Sequence, residues 1–109
     1  MDYVYKAFVV GVYDGDTITV DIDLGMNTWK KNVKLRLARI DTPEIRGEER
    51  ARGIDVRDYV RLLVLNKEIE IQTLKDKTGK YGRYLVEVFI GEINLNDHLL
   101  EQGMATEYS

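Results

Sequence analysis

Two aspartates flank a glycine at Asp14-Gly15-Asp16, and a third aspartate stands at Asp41. Carboxylate oxygens are the ligands that hard cations such as Ca²⁺ or Mg²⁺ take. Arg36 stands five residues before Asp41, and Arg83 sits in the run Gly-Lys-Tyr-Gly-Arg-Tyr-Leu. Arginine presents a forked guanidinium that matches phosphate oxygens and stays charged at any working pH. Two such forks with one cation can hold a phosphodiester and stabilise the charge that grows as phosphorus becomes five-coordinate. Glu44, whose backbone direction Pro43 partly fixes, is placed to take a proton from an attacking water. The chemistry these residue types point to is cation-assisted hydrolysis of a phosphate ester.

Those side chains need elements to carry them. Phe8, Val10 and Val12 share one parity in Lys6–Tyr13, and Ile18, Val20, Ile22 and Leu24 share one in Thr17–Leu24. Both stretches read as half-buried strands. Residues 25–32 read as a hairpin loop, with Trp29 a packing residue, and Val33–Ile40 as a third strand that Pro43 ends. The polar, glycine-containing stretch 44–53 reads as a loop. Val56, Tyr59, Val60 and Leu63 recur at helical spacing, which predicts a helix over Ile54–Leu65 with Asn66 as its stop. Ile69 and Ile71 mark a fourth strand and Tyr84–Ile90 a fifth. Asn94 can cap a short helix, Leu95–Gln102, ended by Gly103. The fold expected is mainly β with helices: a five-stranded OB-type Greek-key barrel, a helix between strands 3 and 4, and a short C-terminal helix.

The parity of the strands sharpens the acid cluster. Continued through the turn, the apolar parity Phe8, Val10, Val12 places Asp14 and Asp16 on the core side, where an unpaired carboxylate is costly. Gly15 offers a bend that brings both acids to a barrel mouth. Leu35 and Leu37 share parity with Arg39 and Asp41, so Asp41 also points coreward. Strict alternation sets Arg36 and Asp41 on opposite faces, leaving a bulge or a meeting around the strand end as the two ways to join them.

Composition narrows the alternatives. The chain of 109 residues is expected to be one domain over 1–109, with no cysteine and so no disulfide, thiolate metal site or cysteine nucleophile. The net charge of −3 is unevenly spread: residues 30–61 hold ten Lys/Arg against six acids, an anion-attracting belt on an acidic body. His98, the sole histidine, falls on the last helix and reads as surface or helix packing. No phosphate-cradling glycine loop and no Gly-x-Ser-x-Gly occur. No apolar N-terminal run resembles a leader, which gives a cytoplasmic expectation, although a removed leader would leave the same sequence. Neither a membrane nor a protein partner is expected, and the chain is expected to be a monomer.

The runs YDGDT, LRLARIDTPE and GKYGRYL, in that order, together with LNDHLLEQGMA, resemble the motifs of the staphylococcal-nuclease-like (thermonuclease) family over nearly the whole chain. The resemblance implies an OB barrel and Ca²⁺-dependent hydrolysis of single-stranded or frayed DNA and RNA to 3′-phosphate and 5′-hydroxyl ends. It implies that Asp16, Asp41 and the backbone carbonyl of Thr42 hold Ca²⁺, and that Asp14 supports the ion from behind or through water. Glu44 would orient or deprotonate water. Arg36 and Arg83 would clamp the scissile phosphate, with Tyr81 and Lys80 contacting the substrate. Longer members continue into a further strand and a third helix. Arg39 stands where the family is usually apolar, and an acid, Glu44 or one in the loop after it, is its expected partner. The competing readings are a non-catalytic OB module for single-stranded nucleic acid, which needs basic residues and stacking aromatics, and a protein-interaction domain.

Overall fold

The computed structural model describes residues 3–78 and 83–108, with the side chains of 75–78 excepted. Three long strands lead the chain: β1 (Tyr3–Asp14), β2 (Thr17–Gly25) and β3 (Thr28–Leu37). A two-residue β4 (Ile40–Asp41), a 3₁₀ turn (Gly47–Glu49) and helix α1 (Arg50–Val64) follow. Then come β5 (Glu68–Thr78), β6 (Tyr84–Ile90), β7 (Ile93–Asn94), α2 (Leu95–Glu101) and β8 (Thr106–Glu107). The sheet runs β3-β2-β1-β5-β6, and a parallel pairing of Leu35–Leu37 with Tyr84–Val86 brings β6 back to β3. This closes a five-strand barrel of the OB type with two helices, and closure leaves no long edge.

The core is aliphatic. Val9, Ile18, Val20, Leu35, Ile71, Val86 and Val88 point inward and are fully buried, with Val60 and Val64 of α1 and Leu95 and Leu99 of α2 packed against them. Asn66 ends α1 in the left-handed region at φ 60°. Asn94 caps α2, its Oδ1 accepting from the Asp97 N–H at 3.0 Å. His98 joins the helices, its Nε2 2.7 Å from the Tyr59 hydroxyl. Among the described residues no helix is long and apolar enough to cross a membrane.

Several expectations change. Register shifts fall between Val9 and Gly11 and between Val12 and Asp14 of β1. A bulge adds a residue to one strand and flips the parity beyond it. So Ala7 and Val9 face inward while Phe8 and Val10 are each 38% exposed. The loop expected over 25–32 is a two-residue turn at Met26-Asn27, with φ 55° and 59°, the values of a type I′ hairpin. That turn leaves Trp29 in a strand and exposed. Helix α1 starts at Arg50, four residues earlier than periodicity suggests, because the 3₁₀ turn feeds straight into it.

Candidate active site at the barrel rim

The β1–β2 turn builds the first part of the site. Gly15 and Asp16 form the turn, and Asp14 Oδ1 accepts the Asp16 N–H at 3.2 Å, a local bond that short acidic side chains favour in turns. Gly15 is required for space rather than for a bend. A Cβ there would lie 2.6 Å from Val56 Cγ1 and 2.9 Å from both Thr42 Cγ2 and Oγ1. The turn therefore sits directly on helix α1 and on the segment after β4. Asp16 is buried and Asp14 half-buried.

The end of β3 supplies the second part. Leu37 closes the strand with its N–H on Asp16 O at 2.8 Å, and the chain reverses through Ala38 and Arg39, the latter at φ 69°. It returns as β4, with Ile40 fully buried and Asp41 exposed, so Asp41 does not point coreward as parity suggested. Arg36 and Asp41 meet around the strand end. The Arg36 guanidinium donates to the carbonyls of Leu37 at 3.0 Å and Ile40 at 2.9 Å. It lies 3.2 Å from Asp16 Oδ2 and 3.4 Å from Asp41 Oδ1. The same Asp16 Oδ2 accepts the Thr42 N–H at 3.0 Å, while Asp16 Oδ1 accepts from the Thr17 hydroxyl at 3.3 Å. Thr17 Oγ1 in turn accepts from Arg83 Nη1 at 3.2 Å. One threonine thus links the buried acid to the second arginine.

The electrostatics are unbalanced. Asp14 is pushed up to about 7, first by burial and then by its hydrogen bond with and the charge of Asp16. Asp41 is raised by burial and by the charge of Asp16, with Arg36 acting against them and Glu49 and Glu44 adding to the rise. Two acids raised by burial and by a neighbouring carboxylate mark a candidate functional site. The hydroxyl of Thr42 is buried without a hydrogen-bond partner among the described residues.

Glu44 is exposed, and its own N–H donates to Glu49 Oε2 at 3.3 Å. Its backbone is held by a contact the sequence does not advertise. A Cβ on Gly53 of α1 would overlap the Glu44 carbonyl and come within 2.9 Å of Ile45 N. Only glycine lets the helix lie against that segment. Arg39 pairs with neither Glu44 nor an acid in the loop after it. It binds Glu87 at 2.9 and 2.6 Å and Asp97 at 2.8 Å. Thr17, Gly53 and Tyr108, whose ring centre lies 5.5 Å from Arg36 Cζ, were not anticipated as parts of the site. Lys80 and Tyr81 lie outside the described residues.

The donor set fits a hard cation. Asp16 and Asp41 bring carboxylate oxygens of the kind such an ion takes to one guanidinium, and Thr42, whose N–H meets Asp16, has a buried hydroxyl with no partner among the described residues. Among the described residues no three acids or histidines are gathered round one point, so water and substrate would fill the remaining places.

Comparison with known proteins shows which family carries this fold. The family model described as staphylococcal nuclease homologue matches residues 34–109, which include Arg36, Asp41, Thr42, Glu44 and Arg83. The chain is 31% identical over 100 residues to a thermonuclease of Staphylococcus hyicus, covering 89% of this chain and 56% of the relative. It is 32% identical over 100 residues to an uncharacterized endonuclease of Haemophilus influenzae, covering 92% and 51%. It is 32% identical over 129 residues to an uncharacterized protein of Methanocaldococcus jannaschii, covering 95% and 59%. The chain spans about half the length of the curated relatives it matches. With a family match over more than half its residues and the barrel to go with it, this chain belongs to the staphylococcal nuclease homologue family.

Proposed function

We propose that the chain is a Ca²⁺-dependent nuclease that hydrolyses DNA and RNA phosphodiesters to 3′-phosphate and 5′-hydroxyl ends, acting as a monomer on single-stranded or frayed strands. The observation that carries this reading is the meeting of Asp16 and Asp41 on Arg36, with Arg83 tied to Asp16 through Thr17. Bound Ca²⁺, held by Asp16, Asp41 and the Thr42 carbonyl with Asp14 behind them, would offset the negative charge of the substrate. Arg36 and Arg83 supply forks for the scissile phosphate and for the extra charge of the five-coordinate state. Arg36 already spans two anionic oxygens, the charge pattern that a phosphate repeats. Glu44 takes the proton of the attacking water. The new bond joins the water oxygen to phosphorus, the bond to the 5′ oxygen breaks, and that oxygen takes a proton from solvent to leave as the 5′-hydroxyl, while the proton on Glu44 returns to solvent. Tyr81 and Lys80 would contact the substrate.

The test is cleavage of a fluorescent single-stranded DNA with Ca²⁺ and with chelator, for the native chain and for Glu44→Gln. Cleavage should require Ca²⁺, and the variant should lose about 10²- to 10⁴-fold in kcat while still binding the strand. Unchanged turnover in the variant removes Glu44 from the mechanism. Binding without any cleavage by the native chain replaces this reading with the non-catalytic module.

A further inference from the structure

Beside Arg83 a cleft of about 440 Å³ opens on the outer face of the barrel, lined by Tyr13, Thr17, Thr19, Lys34 and Arg83. Its volume lies within the range of small-molecule sites. Its chemistry is one-sided: among the described residues it is lined by two cations, two threonine hydroxyls and one tyrosine ring, with no carboxylate. The chain as a whole carries −3, so this lining departs from the overall charge. Asp21, the next residue of outward parity on β2, is already engaged by Lys31 Nζ at 3.4 Å and by the Asn32 N–H at 2.9 Å. Lys34 is exposed and makes no ion pair among the described residues.

The ring is held. Tyr13 is the residue that the second bulge of β1 leaves without a ladder partner, and its hydroxyl accepts from Arg46 Nη2 at 2.7 Å. It remains 52% exposed, with its tip fixed and its body open. The register sets a spacing as well. Thr17 pairs with Arg36 across the β2–β3 ladder, and Thr19 pairs with Lys34. The two pairs stand two residues apart on one face, about 7 Å along the strands, the step of one nucleotide in an extended strand.

We propose that this cleft is a nucleotide subsite flanking the scissile phosphate. Lys34 and the Thr19 hydroxyl hold the neighbouring phosphate, and the intervening base stacks on Tyr13. The inference rests on the reading that the chain acts on single-stranded nucleic acid, and it makes the β2–β3 ladder a ruler for that strand. Cationic and hydroxyl groups give sequence-independent phosphate contacts, and a lone ring accepts any base, so the subsite would favour strand length over sequence.

The test has a binding arm and a cleavage arm, both on the full chain. Binding of a labelled oligo-deoxythymidine is measured in the Glu44→Gln background with Ca²⁺, across a series of salt concentrations. Adding Lys34→Ala should flatten the slope of log affinity against log salt by about 0.7, the loss of one single-strand phosphate contact. Lys67→Ala, which removes the same charge outside the cleft, should not. Tyr13→Ala should weaken binding about five- to ten-fold, as expected for one lost stack, and Tyr13→Phe should restore it. In the cleavage arm, the loss in kcat/KM from Lys34→Ala should be several-fold larger on a hexanucleotide than on a mononucleotide ester with a single phosphodiester.

An unchanged salt slope, or equal losses on short and long substrates, overturns the subsite. So does a melting temperature that falls with Tyr13→Phe as far as with Tyr13→Ala, since that places the ring in folding alone. The binding arm needs no cleavage. A chain that binds in a Lys34-dependent way and never cuts ends the nuclease reading and keeps the subsite; a chain that cuts with no length dependence does the reverse.

Discussion

Arg36 and Arg39 stand three residues apart, on either side of the end of β3, and each faces two acids. Arg39 bonds both oxygens of Glu87 and one of Asp97 at 2.6 to 2.9 Å. Asn94 adds a donor to Glu87 at 3.0 Å. Behind it the buried Asn96 accepts from the Val88 N–H and donates to the carbonyls of Ala38 and Val86, all at 2.9 to 3.0 Å. Around Arg36 the acid contacts stretch to 3.2 and 3.4 Å, Asp14 and Asp41 are raised, and the Thr42 hydroxyl has no partner among the described residues. The Arg39 network is satisfied by the protein itself and locks α2 to β6 and the β3–β4 reversal. The Arg36 network holds two raised acids and a buried hydroxyl with no partner among the described residues. Polar satisfaction, rather than the presence of charge, separates the Arg39 cluster from the candidate site around Arg36.

The comparison is first broken from the side of packing. Gly53→Ala should push the Glu44 backbone off α1. A displacement of about 1 Å at a reacting group costs on the order of 10²-fold in rate, so turnover should fall by about that factor with KM little changed. Stability should fall by about 1 to 3 kcal/mol from overpacking. Steady-state kinetics with a melting curve separates the two effects; native turnover in this variant would show that Glu44 is not held by that contact.

How far the sequence carries this contrast depends on the distance over which each signal acts. Asp14, Asp16, Arg36, Asp41, Glu44 and Arg83 could be singled out as candidates because their motifs are short and local to a turn or strand end. The direction of Asp41 was misread because alternation was carried across the Ala38-Arg39 reversal. The facing of Phe8 and Val10 was misread because the shifts in β1 leave no mark in the hydrophobic pattern beyond Gly11. Arg39 found its acids 48 and 58 residues away, which no local pattern encodes. Thr17 carried a weak signal, a hydroxyl directly after Asp16, and Gly53 falls in a stretch that reads as a loop; each acquires its meaning only from what the fold packs against it.

The next prediction tests the satisfied network. Glu87→Gln keeps the shape and removes the charge that Arg39 and Asn94 share. Charge-assisted bonds at a buried acceptor are strong, so the variant should lose about 1 to 3 kcal/mol in a denaturant titration. Its cleavage rate per folded molecule should stay native. A variant as stable as the native chain would mean that the Arg39 cluster is an ordinary surface ion pair and the contrast with Arg36 is smaller than the distances suggest.

The same acid-to-amide change should act with the opposite sign at Asp14. With chelator present, folded Asp14 holds its proton up to about pH 7, against 3.8 for the ordinary group. Below pH 4 both folded and unfolded chains are protonated there and the group contributes nothing. Between about pH 4 and 7 the folded chain binds more protons than the unfolded one, so rising pH favours unfolding, and above 7 the penalty is complete. Asp14→Asn keeps the Oδ1 that accepts the Asp16 N–H and removes the charge. Its stability relative to the native chain should therefore grow from pH 4 to 7 and then level off. The plateau should be about 1 to 2 kcal/mol, the full shift being cut by solvent screening at a half-buried position. Added Ca²⁺ should shrink or reverse the gain, because the native carboxylate then has a counter-charge and the amide has none to offer. Denaturant midpoints for both chains across that pH range, with chelator and with Ca²⁺, decide it. A stability difference that is flat with pH, or indifferent to Ca²⁺, would put Asp14 with Glu87 among the satisfied acids and leave the rim without its missing charge.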